Sequence, residues 1–421
     1  MTRPTIFLGP SRLLAAAWIA LGALPAVSQA AATAETPPAL VRHSGVQAGL
    51  CVQLGCGEVA GAAELARTGR FLVQLLDSDA AAVDKARRQL DEQGVYGLVS
   101  ADRWKPDSGL PYAENLVNLL VIGQGSGAGV PAPEIARVLC PGGVVLTPGD
   151  AALRAALEAA GLQDVRTVQT KQRRWLSARK PWPPEMDSWT HPRHAADGNA
   201  VSRDRLVAPP RRVRWVAGAP REDSRLVTSA GRNFYGEAIA RDAFNGLRLW
   251  IRPLKPGGRL AVPVAAGELL LAVSGKKVLA LDGATGTTVR EYPEAGTPSS
   301  LLHLDGTILA IDGRCVRAVE IDTGRLAWKH EAARPRYVVA GDGAVYLLEG
   351  ATRRGAKAVA VCLDLATGKV RWRKDRFPWA AKVRRLVYHR GLLAYEISTL
   401  NDDGPGNMIH VVSAAGGKQL W

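Results

Sequence analysis

Apolar and polar positions fall into two different rhythms along the chain. From Gly49 the stretch GLCVQLGCGEVAGAAELARTG gives an apolar run, a glycine-rich turn, and then Ala and Leu at helical spacing. FLVQLLDSD comes next as a second apolar run reaching Asp77, and AAAVDKARRQLDEQG returns to helical spacing. Strand, helix and strand in that order need a crossover, so the pattern predicts a βαβ unit and a parallel sheet. The alternation continues through LVNLLVIG, EIARVLCPGGVVLTPG, a helix ALRAALEAAG and the basic strands VRTVQTKQRRWLSARKP. In the second half the helical spacing gives way to short apolar strands such as KKVLALD and AVAVCLD, separated by turns.

One of those turns recurs as FNGLRLW, ATGTTVR, DTGRLAW, ATGKVRW and AGGKQLW. Its glycines are Gly246, Gly286, Gly324, Gly368 and Gly417, at spacings of 40, 38, 44 and 49 residues. A period near 40 predicts propeller blades of four strands each. Four residues before each glycine stands Asp242, Asp282, Glu320, Asp364 or Ser413, and four after it Trp250, Arg290, Trp328, Trp372 or Trp421. An acid or hydroxyl accepts turn amides, glycine takes the positive φ of the reversal, and a large ring buries apolar area between units. Each copy is therefore expected to be a joint between blades. Trp215 in RRVRW is expected to close an entry strand before the first of them.

Over about residues 45 to 180 the chain resembles the class I S-adenosylmethionine-dependent methyltransferases, through LGCG at 54–57, LLDSD at 75–79, LPYAENLVNLLV at 110–121 and VLCPGGVVL at 138–146. The resemblance implies an α/β Rossmann-like fold in which Gly55 and Gly57 line the methionine end of the cofactor, Asp77 holds its ribose and Asp102 lies near the adenine. Two positions depart from the pattern: Gln53 replaces an acid, and Val59 stands where a third glycine is usual. A retained fold with weak or lost S-adenosylmethionine binding is the expectation, and an active methyltransferase the alternative.

From about residue 189 the repeat resembles the pyrroloquinoline-quinone (PQQ)-type β-propeller of quinoprotein dehydrogenases and related non-enzymatic propellers, most closely in DAFNGLRLW, IDTGRLAW and LDLATGKVRW. The implied fold is an all-β propeller over 181–421. The adjacent cysteines of the quinoprotein alcohol dehydrogenases are absent and no residue is assignable as catalytic, so PQQ binding is not expected; a quinoprotein oxidoreductase is a second enzymatic alternative. About five blades are expected, in a ring left incomplete at the C-terminus. The two halves are joined by a Pro- and Arg-rich stretch, KPWPPEMDSWTHPRHAADGNAVSRD. Its His191 and His194, with Asp197 and Asn199, offer metal-ligand chemistry. On an irregular segment they are instead expected to bond backbone and seal a blade, with no metal.

Length and charge change this picture little. The chain has 421 residues, 47% of them hydrophobic, enough for two cores. Its net charge of +15 favours anionic surfaces, pointing to an anionic envelope polymer or a protein partner through the propeller rather than to a specific nucleic acid. Arg3 and Arg12 precede the apolar LLAAAWIALGALPAV and then SQAAA, the pattern of a signal peptide over 1–30 cleaved near Ala30. That predicts export to the periplasm or envelope, with no transmembrane helix left after cleavage. Five scattered cysteines, without CxxC spacing, exclude a disulfide framework and a zinc pattern.

Overall fold

The computed structural model describes residues 39–123, 130–170, 174–209, 213–217, 226–236, 239–252, 261–350, 357–398 and 407–421. The leader expected over 1–30 lies outside them.

The α/β half is built from α1 (Ala39–Ser44), β1 (Gly49–Leu54), α2 (Val59–Arg67), β2 (Phe71–Asp77), α3 (Ala80–Glu92), β3 (Val99–Arg103), β4 (Val117–Ile122), α4 (Ala132–Val138), β5 (Leu139–Thr147), α5 (Ala151–Ala159), β6 (Gln163–Gln169) and β7 (Arg174–Arg179). The strand order is β3-β2-β1-β4-β5-β7-β6, with β1 to β5 parallel and β7 antiparallel to both neighbours. β4 is buried at all its positions, as a central strand covered on both faces must be. Ala62, Leu65, Val83, Ala86 and Leu90 of α2 and α3 pack on one face, and Ile135, Val138 and Leu157 of α4 and α5 on the other. The order reverses between β1 and β4, so the crevice at the carboxyl ends of the strands, where Gly55 and Asp77 lie, is the place where doubly wound sheets take ligands.

The second half is an all-β propeller. Its first sheet holds β8 (Val227–Ser229), β9 (Arg232–Tyr235), β10 (Ile239–Asp242) and β11 (Arg248–Ile251), and its second β12 (Ala261–Ala266), β13 (Leu269–Ser274), β14 (Lys277–Asp282) and β15 (Thr288–Glu291). The third contains β16 (Ser300–Leu304), β17 (Thr307–Ile311), β18 (Cys315–Glu320) and β19 (Leu326–Glu331), the fourth β20 (Arg336–Gly341), β21 (Ala344–Gly350), β22 (Ala358–Asp364) and β23 (Val370–Lys374). In the fifth, β24 (Val383–His389), β25 (Leu392–Ser398) and β26 (Asn407–Ser413) pair in order, and Val412 of β26 makes an antiparallel bridge to Gln419 on its outer side. The first strands of the sheets neighbour one another in succession, β8 beside β12, then β16, β20 and β24, and so form the hub.

The repeated turn leaves the third strand of each sheet, and its tryptophan does reach the next unit. Trp250, Trp328 and Trp372 donate from Nε1 to the carbonyl oxygens of Gly283, Leu365 and Ala414 at 2.9, 2.7 and 2.8 Å. Each acceptor is the residue just after the acid or hydroxyl of the next copy of the turn, and each ring lies on a glycine of that copy. A Cβ built on Gly286 or Gly368 would come 2.6 or 2.5 Å from Cδ2 of Trp250 or Trp328. Glycine is thus required there twice over, for its φ of +71 or +69° and for the close approach of the ring. Trp215 treats the first turn the same way, bonding the Ala243 carbonyl at 3.2 Å and covering Gly246, although residues 213–217 form no strand. In the copy that carries Arg290, Tyr292 takes over: it is buried, and its hydroxyl donates to the Ile321 carbonyl at 2.8 Å, the equivalent acceptor.

The halves are locked together by the first turn. Asn118 of β4 donates through Nδ2 to the Asp242 carboxylate at 2.7 Å, while its Oδ1 accepts from Leu50 N and from Asn245 Nδ2 at 2.7 and 2.8 Å. Both Asn118 and Asp242 are buried. This contact lies at the amino ends of β1 and β4, opposite the edge that carries Gly55 and Asp77.

Candidate functional site

The turn after β1 closes tightly on β2. Gly55, at φ +97°, donates its amide to the Leu76 carbonyl at 2.7 Å, a conformation that a Cβ disfavours. Asp77 lies at the end of β2, and its two oxygens are both engaged: Oδ2 accepts from Cys56 N at 2.9 Å and Oδ1 from Asp79 N at 3.0 Å. The cap of α3 is Asp79, which accepts from Ala81 N, so Asp77 does not cap the helix itself but ties the glycine loop to the turn that leads into it. Around Gly57 a Cβ would meet nothing within 4 Å, so that side of the loop is open.

The two departures from the methyltransferase pattern have different consequences. Val59 turns into the core under α2 and is 5% exposed, so its bulk is absorbed there. Gln53 instead folds its amide onto the loop, donating to the Gly55 carbonyl at 3.0 Å. Asp102 stands one strand further along in β3, bonded to Arg87 Nη2 at 3.0 Å and to Gln74 Nε2 at 2.9 Å; Tyr112 donates in turn to Gln74 at 2.7 Å. Burial, helped by the Asp77 charge, pushes the Cys56 thiol up to about 11, which removes it as a nucleophile at neutral pH. The structure therefore brings the glycine loop of Gly55 and Gly57 and the end of β2 at Asp77 together on one edge of the sheet, with Asp102 nearby, and ties both acids to groups of the chain itself.

A second concentration of buried polar groups was legible only as a junction. Residues 189–197 run through the hub and take one hydrogen bond from every sheet. Thr228 N donates to the Trp189 carbonyl and Ala265 N to that of Thr190, at 2.7 and 2.8 Å, and Ala340 N and Tyr388 N to those of Ala196 and Asp197, both at 2.9 Å. Between them His303 N donates to Nε2 of His191 at 3.0 Å. The five donors occupy the same place, one residue before the end of β8, β12, β16, β20 and β24. The expected bond from a histidine of this segment to backbone is made by His191, and the segment reaches further than a single blade: it satisfies an equivalent amide in all five, because first strands converging on a hub leave those amides without a sheet partner.

That geometry fixes the state of His191. Nε2 accepts, so Nδ1 carries the proton and donates to Thr190 Oγ1 at 2.8 Å. Burial pushes its pKa down to about 3, with the charges of His303 and His194 acting in the same direction. His194 bonds the Asp187 carboxylate at 2.6 Å through its own Nε2. Among the described residues no three His, Cys, Asp or Glu side chains gather as metal ligands, and no helix is long and apolar enough to cross a membrane.

A family model described as outer membrane protein assembly factor BamB matches residues 193–375 and 312–421, together more than half of the chain. The chain belongs to that family. Among solved structures, BamB from Moraxella catarrhalis is 17% identical over 47% of this chain and 72% of its own, with a TM-score of 0.27. For the α/β half, a putative S-adenosylmethionine-dependent methyltransferase from Methanococcus maripaludis is 17% identical over 35% of this chain and 84% of its own, with a TM-score of 0.31. A methyltransferase from Aquifex aeolicus is 15% identical over 34% and 89%, with a TM-score of 0.29. No curated protein matches the chain. The BamB-family match covers the hub segment from Arg193 onward and four of the five repeated turns in one stretch, with the fifth in the other.

Proposed function

We propose that this is an exported binding or scaffold protein of the cell envelope, whose propeller meets a protein partner or an anionic envelope polymer, and whose methyltransferase-like half no longer works as an enzyme. The family description supports a role beside outer-membrane protein assembly. The observation that carries the non-enzymatic reading is the engagement of Asp77: the acid expected on a ribose gives one oxygen to Cys56 N of the glycine loop and the other to Asp79 N of its own turn. A ligand hydroxyl would have to add to those bonds or displace them, and Gln53 offers the loop an amide where the family pattern has a carboxylate. Gly55, Gly57, Asp77 and Asp102 remain the residues that would hold S-adenosylmethionine, which supplies an electrophilic methyl group when bound. Pyrroloquinoline quinone fits less well, since the hub that reaches every blade is filled by residues 189–197.

Titration calorimetry of the full chain with S-adenosylmethionine, and separately with pyrroloquinoline quinone plus calcium, tests this reading. Little or no heat is expected from either. A micromolar dissociation constant for S-adenosylmethionine, abolished by Asp77→Ala, overturns it in favour of a methyltransferase. Fractionation of cells expressing the chain, followed by N-terminal sequencing of the mature protein, tests export: a cytoplasmic, uncleaved product contradicts the envelope placement.

A further inference from the structure

A cavity of about 450 Å³ opens on the side of the α/β sheet away from the glycine loop, between that sheet and the first two blades. Its size is that of a small-molecule site, and interfaces between compact parts of a chain are where such sites concentrate. Three groups in its wall are held in place by the fold.

The first is Trp182. Its indole lies against two glycines: a Cβ at Gly142 would come 3.3 Å from Nε1, and one at Gly231 would come 3.2 Å from Cη2. Phe244 packs beside it at 5.9 Å between centroids. A ring fixed on these sides is nonetheless 41% exposed, so it offers a rigid apolar face. The second is Arg179, whose Nη1 and Nη2 donate to the Gly142 and Ser44 carbonyls at 2.6 and 2.9 Å. Those acceptors orient the guanidinium without neutralising it, and among the described residues no carboxylate pairs with it. The third is Arg232, largely buried and paired with a Glu268 side chain that is 71% exposed. At the floor, Asp242 and Asn118 are satisfied by each other and by backbone, so they close the cavity and leave as its cations Arg179 and an Arg232 whose only carboxylate partner among the described residues is the exposed Glu268.

We propose that this cleft binds an acidic sugar, its ring on Trp182 and its carboxylate or phosphate on Arg179 and Arg232. A flat apolar face with fixed cations selects a ring that bears an anion. The neighbouring acceptors, Glu268 and the exposed Gln47, suit hydroxyl groups around that ring better than an aryl edge. The site is independent of the glycine loop and holds whether or not S-adenosylmethionine binds there.

The test is saturation-transfer NMR and calorimetry on the full chain with glucose 6-phosphate and glucuronate as probes, against glucose and inorganic phosphate. Binding of either acidic sugar is expected, weaker by about tenfold or more for Trp182→Ala and for Arg232→Gln. Gln47→Trp, at an exposed position in the cleft wall, should block binding while leaving the melting temperature unchanged. No binding of either acidic sugar overturns the proposal. So does phosphate binding as tightly as glucose 6-phosphate, which would mean the ring is not read, or glucose binding as tightly, which would mean the anion is not. Binding that survives Gln47→Trp in a folded protein places the sugar elsewhere and also overturns it.

Discussion

Both halves of the molecule pair an acid with a glycine-bearing turn, and they use the pair in different ways. In the α/β half the Asp77 carboxylate accepts Cys56 N from the glycine loop after β1 and Asp79 N from its own turn after β2, so it clamps two loops at the edge of a single sheet. In the propeller Asp282 likewise accepts Ala284 N and Thr285 N, and Asp364 accepts Thr367 N. There the turn also serves as a socket, because the ring from the preceding blade lies on its glycine and bonds one of its carbonyls. The same ingredients clamp two loops within one sheet in one place and join two sheets in the other. The difference lies in a single large side chain four residues along, which carries the contact to the next unit.

The largest effect should come from emptying a socket. Trp328→Ala removes a buried ring and its hydrogen bond to Leu365, and should destabilise the propeller by about 3 to 5 kcal/mol. Gly368→Ala attacks the same joint from the other side, forcing a Cβ toward Trp328 at a φ of +69°. Denaturant titration monitored by tryptophan fluorescence measures both. If each changes the midpoint no more than a surface substitution does, the rings are not the joints.

Acid comes next, because the hub depends on a neutral imidazole. The folded pKa of His191 lies near 3, below its value in the unfolded chain, so the unfolded state binds the extra proton. The stability contributed is complete above pH 6.5 and is lost as pH falls from there toward 3, by an amount of a few kcal/mol in that window. Protonating Nε2 would set it against the His303 amide, donor to donor. His191→Gln should flatten the pH dependence of the melting temperature over this range. An unchanged slope would mean that the hub tolerates the charge.

Asp77→Ala probes the clamp within the α/β sheet. Losing two amide acceptors should cost about 1 to 2 kcal/mol. The loss should be confined to the loops after β1 and β2, read as faster amide exchange at Cys56 and Asp79, with the propeller amides unaffected. Spread of that exchange into the first blade would erase the contrast between the two turns.

The range of each signal decided how much was legible in the sequence. The βαβ order and the position of Gly55 and Asp77 are local, set by apolar period and turn chemistry, and they appear where the pattern put them. The repeat was legible for the same reason, and so were Trp250, Trp328 and Trp372 as joints. The partners were not, since a hydrogen bond from Asn118 to Asp242 spans 124 residues and has no local trace. The junction's histidines carried a visible motif whose chemistry depended on five strands distant in sequence, the farthest being β24, where Tyr388 bonds Asp197. Tyr292 could have been found: it is the aromatic residue nearest to the place where the repeat has Arg290.

That substitution supplies the smallest and sharpest test of the comparison. In the other joints one residue gives both the ring and the bond, but here Arg290 donates only weakly, to the Thr323 carbonyl at 3.3 Å, and Tyr292 makes the 2.8 Å bond to Ile321. Gly324 is correspondingly less crowded, with Arg290 Cδ and Tyr292 Cδ1 both 3.7 Å from a built Cβ. Tyr292→Phe keeps the ring and removes the hydroxyl, leaving a carbonyl without its donor, and should cost about 1 kcal/mol. Arg290→Ala, at an exposed position, should cost less than about 0.5 kcal/mol. If the two values are reversed in urea titrations, the socket is filled by the residue at the repeat position after all, and Tyr292 is only part of the core between the second and third blades.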